Sequence, residues 1–162
     1  MAEKMKKEME YIENKIFDFV EHDGISSVEK GNLFLEWILL YLFEKTESEI
    51  KENHIEDGVL IIDGKNDGSI DAAFINNKVM NIIQAKYNTS HSTKDIDHFV
   101  NSMKDIIKGT SGSNKKIQFY DVINRIEETS EIDIYYITNS SFTENDELRI
   151  NSLKKDFEKT FE

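Results

Sequence analysis

Acidic and small residues cluster between Asp63 and Phe74, in the stretch DGKNDGSIDAAF. Such a cluster is typical either of a calcium-binding loop or of the acidic half of an active site. Read as an EF-hand loop, it supplies side-chain ligands at positions 1, 5, 7 and 9, namely Asp63, Asp67, Ser69 and Asp71. The pattern fails at position 3, which is Lys65, and at position 12, where Phe74 replaces the bidentate Glu that closes such loops. The sequence therefore disfavours calcium binding and leaves the active-site interpretation open.

Two strands are predicted around this cluster, SIDAAFI (69–75) and VMNIIQAKY (79–87), and the Asn-rich connection between them favours a hairpin. With a two-residue loop at Asn77-Lys78, Asp71 faces Gln84 and shares a face of the sheet with Gln84 and Lys86. A three-residue loop would instead scatter these side chains over both faces. Gln84 and Lys86 interrupt an apolar run, where strand cores reject polar groups, and a polar site around a metal ion would explain them.

The remaining elements must position this hairpin. Helices are predicted over 4–21, 28–47, 94–109, 117–128 and 144–160, and further strands over 58–64 and 132–139. Ser26 or Ser27 is expected to cap the second helix, which is apolar on nearly every side between Leu33 and Phe43 and is therefore expected to be buried. Glu36 is the only charge in those eleven residues. Residues 109–116, GTSGSNKK, read as a mobile linker.

Asp71, followed after twelve residues by Gln84-Ala85-Lys86, resembles the PD-(D/E)XK nuclease superfamily in its QxK form. The text NDGSIDAAFINN…IIQAKYN is similar to Mrr-like restriction endonucleases and still more to the N-terminal nuclease-like domain of the abortive-infection phage-resistance (AIPR) family. Glu36, in NLFLEWILL, matches the Glu of an upstream helix in such proteins. Over roughly residues 28 to 140, the resemblance implies a restriction-endonuclease-like α/β (α+β) fold. Its α-β-β-β-α-β core would hold a mixed central sheet flanked by helices.

The same resemblance implies roles for five residues. Asp71 would bind Mg²⁺ (or Mn²⁺) directly, Gln84 would offer its amide oxygen in place of the usual second acid, and the Ala85 carbonyl would join the metal shell. Lys86 would orient the attacking water and stabilise charge on the phosphate, and Glu36 would bind through water or hold a second metal. Ile70 stands where the superfamily has Pro, and neutral Gln84 removes a negative charge from the site.

Charge and composition set limits on partners and location. The net charge is −12, which disfavours tight binding of nucleic acid by this chain alone, although residues 65–125 carry a net +3. We therefore expect DNA or RNA affinity to depend on a homodimer, a longer parent chain or a partner protein.

The charged first residues do not form a signal peptide, and the apolar run from Leu33 to Phe43 is too short to span a bilayer. A cytoplasmic protein without membrane association is expected. The chain has no cysteine, which excludes disulfides and thiolate zinc sites.

We expect one nuclease-like domain over 1–162, with N-terminal helices over 4–47, a catalytic core over about 48–140 and a C-terminal helix over 144–160. The predicted function is a metal-dependent endonuclease that hydrolyses phosphodiesters in bacterial or phage defence. A catalytically inactive nuclease-fold module for protein or nucleic-acid binding and regulation is the alternative, favoured by the net charge and by neutral Gln84.

Overall fold

The computed structural model describes residues 2–62, 70–87, 93–108, 122, 124–126 and 128–160. Two compact units are present, Met1–Glu47 and Ser48–Glu162. Three predicted features lie wholly or mostly outside the described residues: the acidic cluster over 63–74, the linker over 109–116 and the helix over 117–128.

The N-terminal unit consists of two α-helices and a π-helical turn. Helix α1 spans Ala2–Val20, helix α2 spans Ser27–Trp37, and the π-helical turn follows at Ile38–Leu42. Ser26 caps α2 in a reciprocal arrangement. Its hydroxyl accepts from the Glu29 N–H at 3.2 Å, and the Glu29 carboxylate accepts from the Ser26 N–H at 2.7 Å. This capping box satisfies two backbone donors that a helix start leaves unpaired, and it confirms Ser26 as the predicted cap.

The prediction of one continuous, buried helix over 28–47 is wrong in its second half. The Phe43 N–H donates to the Ile38 carbonyl five residues back, which widens the turn, and Glu44 then ends the segment with a φ of 54°. Ile38 and Leu39 are buried as expected, whereas Tyr41 and Leu42 are exposed. The apolar run thus ends on the surface.

The C-terminal unit is built on a four-stranded mixed sheet. Its strands are β1 (Leu60–Ile61), β2 (Ala72–Asn76), β3 (Val79–Lys86) and β4 (Glu131–Thr138), in the spatial order β1-β2-β3-β4. The first two pairings are antiparallel, and β3 and β4 are parallel. Helix α3 (Glu47–Glu52), which was not predicted, precedes β1; helix α4 (Thr93–Lys108) lies between β3 and β4 in the chain, and helix α5 (Glu144–Thr160) follows β4. An α+β chain with a mixed sheet was predicted and is confirmed.

One face of the sheet packs against α4. Ala73, Met80 and Ile82 from the strands form a buried cluster with Phe99, Met103 and Ile106 from α4, among others. Residues of the other face, including Phe74 and Ile83, are also buried. The middle strands are therefore apolar on both faces, apart from a few polar positions that need a specific explanation.

Side-chain pairs attach α5 to α4. The Arg149 guanidinium donates two hydrogen bonds to the Asp97 carboxylate, at 2.8 and 3.1 Å, and Lys104 pairs with Asp156. The Lys104 ammonium lowers the pKa of the Asp156 carboxyl. Within the described ranges, no helix is both long enough and apolar enough to cross a membrane.

Candidate active site

The predicted hairpin between β2 and β3 is confirmed, together with its register. Asn76 pairs with Val79 and Ala72 with Ile83, which leaves Asn77-Lys78 as a two-residue loop. Both loop residues have positive φ, 50° and 64°, as a type I′ turn requires. The Lys78 carbonyl accepts from the Ser130 N–H at 2.8 Å, so the turn also holds the start of β4 beside β3.

The regular pairing ends at Asp71. The Asp71 N–H donates to the Ile83 carbonyl at 2.8 Å, although Ile83 is already the register partner of Ala72. Two residues of one strand thus face one residue of the other, which is the pattern of a β-bulge. Ile70 and Ala73 both belong to the core cluster, whereas strict alternation would place them on opposite faces. The prediction that Asp71 faces Gln84 across the hairpin is therefore wrong, because the bulge places Asp71 opposite Ile83.

The Asp71 carboxylate lies against the main chain of β3. Its Oδ2 accepts a hydrogen bond from the Ala85 N–H at 2.7 Å. Because the N–H and C=O of one strand residue point to the same edge of the strand, the Ala85 carbonyl is directed to this edge as well. The Asp71 carboxylate thus lies, at the point where β2 begins, against the edge of β3 to which the Ala85 carbonyl is directed.

Gln84 and Lys86 flank Ala85 and share the face of β3 that carries Met80 and Ile82. The Gln84 side chain is only 7% exposed, and Lys86 is half-buried. Neither side chain forms a hydrogen bond or an ion pair with another described residue. Among the described residues only the Tyr136 hydroxyl is both buried and without a partner, so the Gln84 amide keeps some contact with solvent. A largely buried Gln and a half-buried Lys that bond no described side chain fit the predicted polar site.

Glu36 lies in the N-terminal unit. It is half-buried on α2, between the buried residues Leu35 and Trp37. The hairpin places the Asp71 carboxylate against Ala85, which lies between Gln84 and Lys86 in β3. That these four residues form one site stays a prediction. The participation of Glu36 stays a prediction.

The donor set at the hairpin fits a hard divalent cation. Carboxylate, amide and carbonyl oxygens are the ligands that Mg²⁺ accepts, and Mg²⁺ sites commonly use one or two carboxylates while retaining several waters. No group of three or more His, Asp or Glu side chains suited to a metal occurs in the part of the chain that the structure describes. The hairpin therefore suits Mg²⁺ better than zinc, which favours nitrogen and sulfur ligands.

Tyr136 is a neighbour of the site that the sequence analysis did not identify. It pairs with Gln84 across β3 and β4, and its ring lies 5.7 Å from that of Phe99. Its buried hydroxyl has no hydrogen-bond partner among the described residues. Burial, with a smaller contribution from the Asp95 carboxylate, raises the pKa of Tyr136 to about 12. Only the parallel β3–β4 pairing places Tyr136 here, and hydrophobic patterning does not specify that pairing.

Comparisons with protein-family models, with curated proteins and with solved structures found no match to the chain. Any function inferred for this chain therefore rests on the geometry of the hairpin.

Proposed function

We propose that this chain is a metal-dependent nuclease domain of the PD-(D/E)XK type, related to defence nucleases, that hydrolyses DNA or RNA phosphodiesters. The observation that carries the proposal is the 2.7 Å hydrogen bond between the Asp71 carboxylate and the Ala85 N–H. It fixes the one carboxylate of the hairpin next to the carbonyl between Gln84 and Lys86. The order of the elements also supports a restriction-endonuclease-like core. A helix precedes the sheet, three strands pair antiparallel, and a further helix leads to a parallel fourth strand.

Each residue of the hairpin has a distinct task in this proposal. The Asp71 carboxylate, the Gln84 amide oxygen and the Ala85 carbonyl would hold Mg²⁺ (or Mn²⁺). Bound Mg²⁺ would polarise a phosphoryl oxygen and lower the pKa of water. The Lys86 ammonium would hold the attacking water in line and stabilise the negative charge that develops on the phosphate. In the same proposal Glu36 would bind through water or hold a second ion.

Titration calorimetry with Mg²⁺ and Mn²⁺, combined with plasmid and RNA cleavage assays, tests the proposal. Wild type should bind the ion and cleave. Asp71→Asn should lose both activities, because a neutral amide replaces the ionised ligand. Lys86→Gln should retain ion binding and lose cleavage, because the ammonium acts on the phosphate and not on the ion. Absence of both ion binding and cleavage in a folded wild-type sample at low salt would falsify the proposal for this chain.

The alternative is a nuclease fold that binds partners without catalysis. It is favoured by the neutral Gln84 and by the presence of a single carboxylate, that of Asp71, at the described hairpin. The same experiment separates the two, because an inactive module would bind nucleic acid or protein equally well in the presence and absence of Mg²⁺. It would also show no cleavage with Mg²⁺, either as wild type or as Lys86→Gln.

A further inference from the structure

An exposed stripe of side chains runs along α1 in the N-terminal unit. It consists of Lys4, Glu8, Tyr11, Lys15 and Asp18, all exposed, at alternating spacings of four and three residues. At 3.6 residues per turn these positions fall within about 80° of arc. This spacing is that of the contact line between two helices in a coiled coil. The five side chains thus form one line along the helix, but four of them are charged, so packing along this line depends on the pairing of those charges.

The order of charges along this stripe is self-complementary in one direction. Read from the N-terminus, the stripe is basic, acidic, aromatic, basic, acidic. In an antiparallel pair of identical α1 helices centred on Tyr11, Lys4 meets Asp18 of the second copy and Glu8 meets its Lys15. Two-fold symmetry then repeats both pairs. A parallel pair would place like charges opposite each other, so the pattern selects the antiparallel arrangement.

Apolar groups lie at the centre and along one side of the stripe. Tyr11 is 63% exposed, and the Lys15 ammonium lies over its ring at 5.3 Å from the centroid. Exposed Ile12 and Tyr41 adjoin it, together with Phe19 and Trp37, around a depression of about 510 Å³ within the N-terminal unit. Exposed aromatic and aliphatic groups at this density are typical of an interaction surface.

The distribution of charge also distinguishes between possible occupants. A helix that binds anionic membranes or nucleic acid carries basic residues along its polar face. Here acidic and basic residues alternate along the stripe itself, and the N-terminal region of the chain is strongly acidic. A second copy of α1 offers every charge of the stripe an opposite charge, in addition to the 3.9 Å ion pair that Lys4 and Glu8 form within the helix.

We infer that α1 is the homodimerisation surface of this protein, with two copies of the helix packed antiparallel about Tyr11. The inference concerns only the N-terminal unit and does not depend on the proposed nuclease activity. Residues Tyr11 and Ile12 would provide the apolar centre, and the two symmetric sets of ion pairs would fix the direction and register of the helices.

Sedimentation analysis of the full chain over a wide concentration range, at low salt, tests this inference. Tyr11→Glu should raise the dimer dissociation constant by about thirtyfold or more, because it places two carboxylates together at the two-fold axis. Phe17→Glu is the matched control. Phe17 is 59% exposed on the same helix but points about 120° away from Tyr11, so the same substitution there should leave the dimer unchanged.

A charge exchange tests the antiparallel direction. Lys4→Glu alone and Asp18→Lys alone should each weaken the dimer by about tenfold, because each turns two attractive pairs into repulsive ones. The double variant should restore wild-type association. Both substitutions place charges that favour the helix dipole, which in Lys4→Glu offsets the loss of the 3.9 Å ion pair between Lys4 and Glu8 within α1. A monomeric wild type, a dimer that tolerates Tyr11→Glu, or a double variant as weak as the single ones would each overturn the inference.

Discussion

The Asp71 carboxylate and the main-chain N–H of Ala85 form a 2.7 Å hydrogen bond that joins the start of β2 to the end of β3. In a regular hairpin the Ala85 N–H would donate to a main-chain carbonyl of the facing strand. Here the Asp71 carboxylate accepts instead, because the bulge at Asp71 interrupts the regular pairing. The same carboxylate therefore closes the hairpin and is the proposed metal ligand. Two substitutions separate these roles.

Asp71→Asn should keep the hydrogen bond, because the amide oxygen can still accept from the Ala85 N–H. Asp71→Ala should leave that N–H without its partner and lower the free energy of unfolding by about 1–2 kcal/mol relative to Asp71→Asn. Urea denaturation of both variants in the presence of a chelator measures the difference without any contribution from metal binding. Equal stabilities for the two variants would show that the bond contributes nothing to the fold.

The hairpin register could be predicted from the sequence because local chemistry encodes it. Asn77 accepts the left-handed backbone of a type I′ turn, and the alternation on both sides then fixes every pairing from Ala72 to Ile83. The bulge at Asp71 could not be predicted in this way. Counting along strands assumes regular pleating, and a bulge changes which side chains share a face without a distinctive residue type.

The structure differs from the sequence-based predictions in two further places. One is the type of helix after Trp37, and the other is the pairing of strands that are distant in sequence. Apolar residues from Leu33 to Phe43 are equally compatible with a regular helix and with the π-helical turn that leaves Tyr41 and Leu42 exposed. The position of Tyr136 beside Gln84 depends on a parallel pairing between strands separated by α4. Such long-range contacts are set by packing, which a single sequence does not display.

Gly58 is required by close packing, and its replacement should be costly. A Cβ at this position would lie 2.1 Å from the Glu49 carbonyl oxygen, which itself accepts a hydrogen bond from the Val59 N–H at 3.1 Å. Gly58→Ala must therefore displace backbone between α3 and β1, and we expect a loss of about 2–3 kcal/mol in the free energy of unfolding. Urea denaturation monitored by circular dichroism gives this value.

Gly31→Ala is the matched control for Gly58→Ala. Gly31 lies inside α2, and an added Cβ would meet nothing within 4 Å. Because alanine favours the helix by about 1 kcal/mol over glycine, this variant should be more stable than wild type. If both alanine variants changed stability in the same direction, close packing at Gly58 would not be the cause.

Tyr136→Phe should not destabilise the protein at neutral pH, because the Tyr136 hydroxyl is buried and has no hydrogen-bond partner among the described residues. In alkaline solution the two proteins should diverge. An unfolded tyrosine ionises near pH 10, whereas Tyr136 ionises near 12, so the unfolded wild-type chain binds fewer protons between these values. The stability due to neutral Tyr136 is complete below pH 10 and is lost as the pH rises towards 12.

Urea midpoints measured at neutral pH and between pH 10 and 12 should therefore fall more steeply for wild type than for Tyr136→Phe. Tyrosinate absorbance, titrated in parallel, should show that the variant lacks a tyrosine that ionises near pH 12. A loss of stability in Tyr136→Phe at neutral pH would mean that the hydroxyl has a bonding partner in the folded protein.

Gln84→Glu tests directly whether the hairpin binds a cation. Gln84 is only 7% exposed, so a carboxylate at this position should lower stability by about 1–3 kcal/mol in a chelator. Mg²⁺ should reverse this loss and bind about tenfold more tightly than to wild type, because a charged oxygen replaces a neutral one.

Asn81→Asp is the matched control. Asn81 lies in the same strand at 8% exposure, but it is three residues away and therefore on the opposite face. Its carboxylate should be destabilising to the same degree with or without Mg²⁺. Thermal denaturation of both variants across a Mg²⁺ titration distinguishes a specific metal site from a general ionic effect. A general effect would raise the melting temperature of both variants equally. A metal site at Asp71 and Gln84 would raise only that of Gln84→Glu.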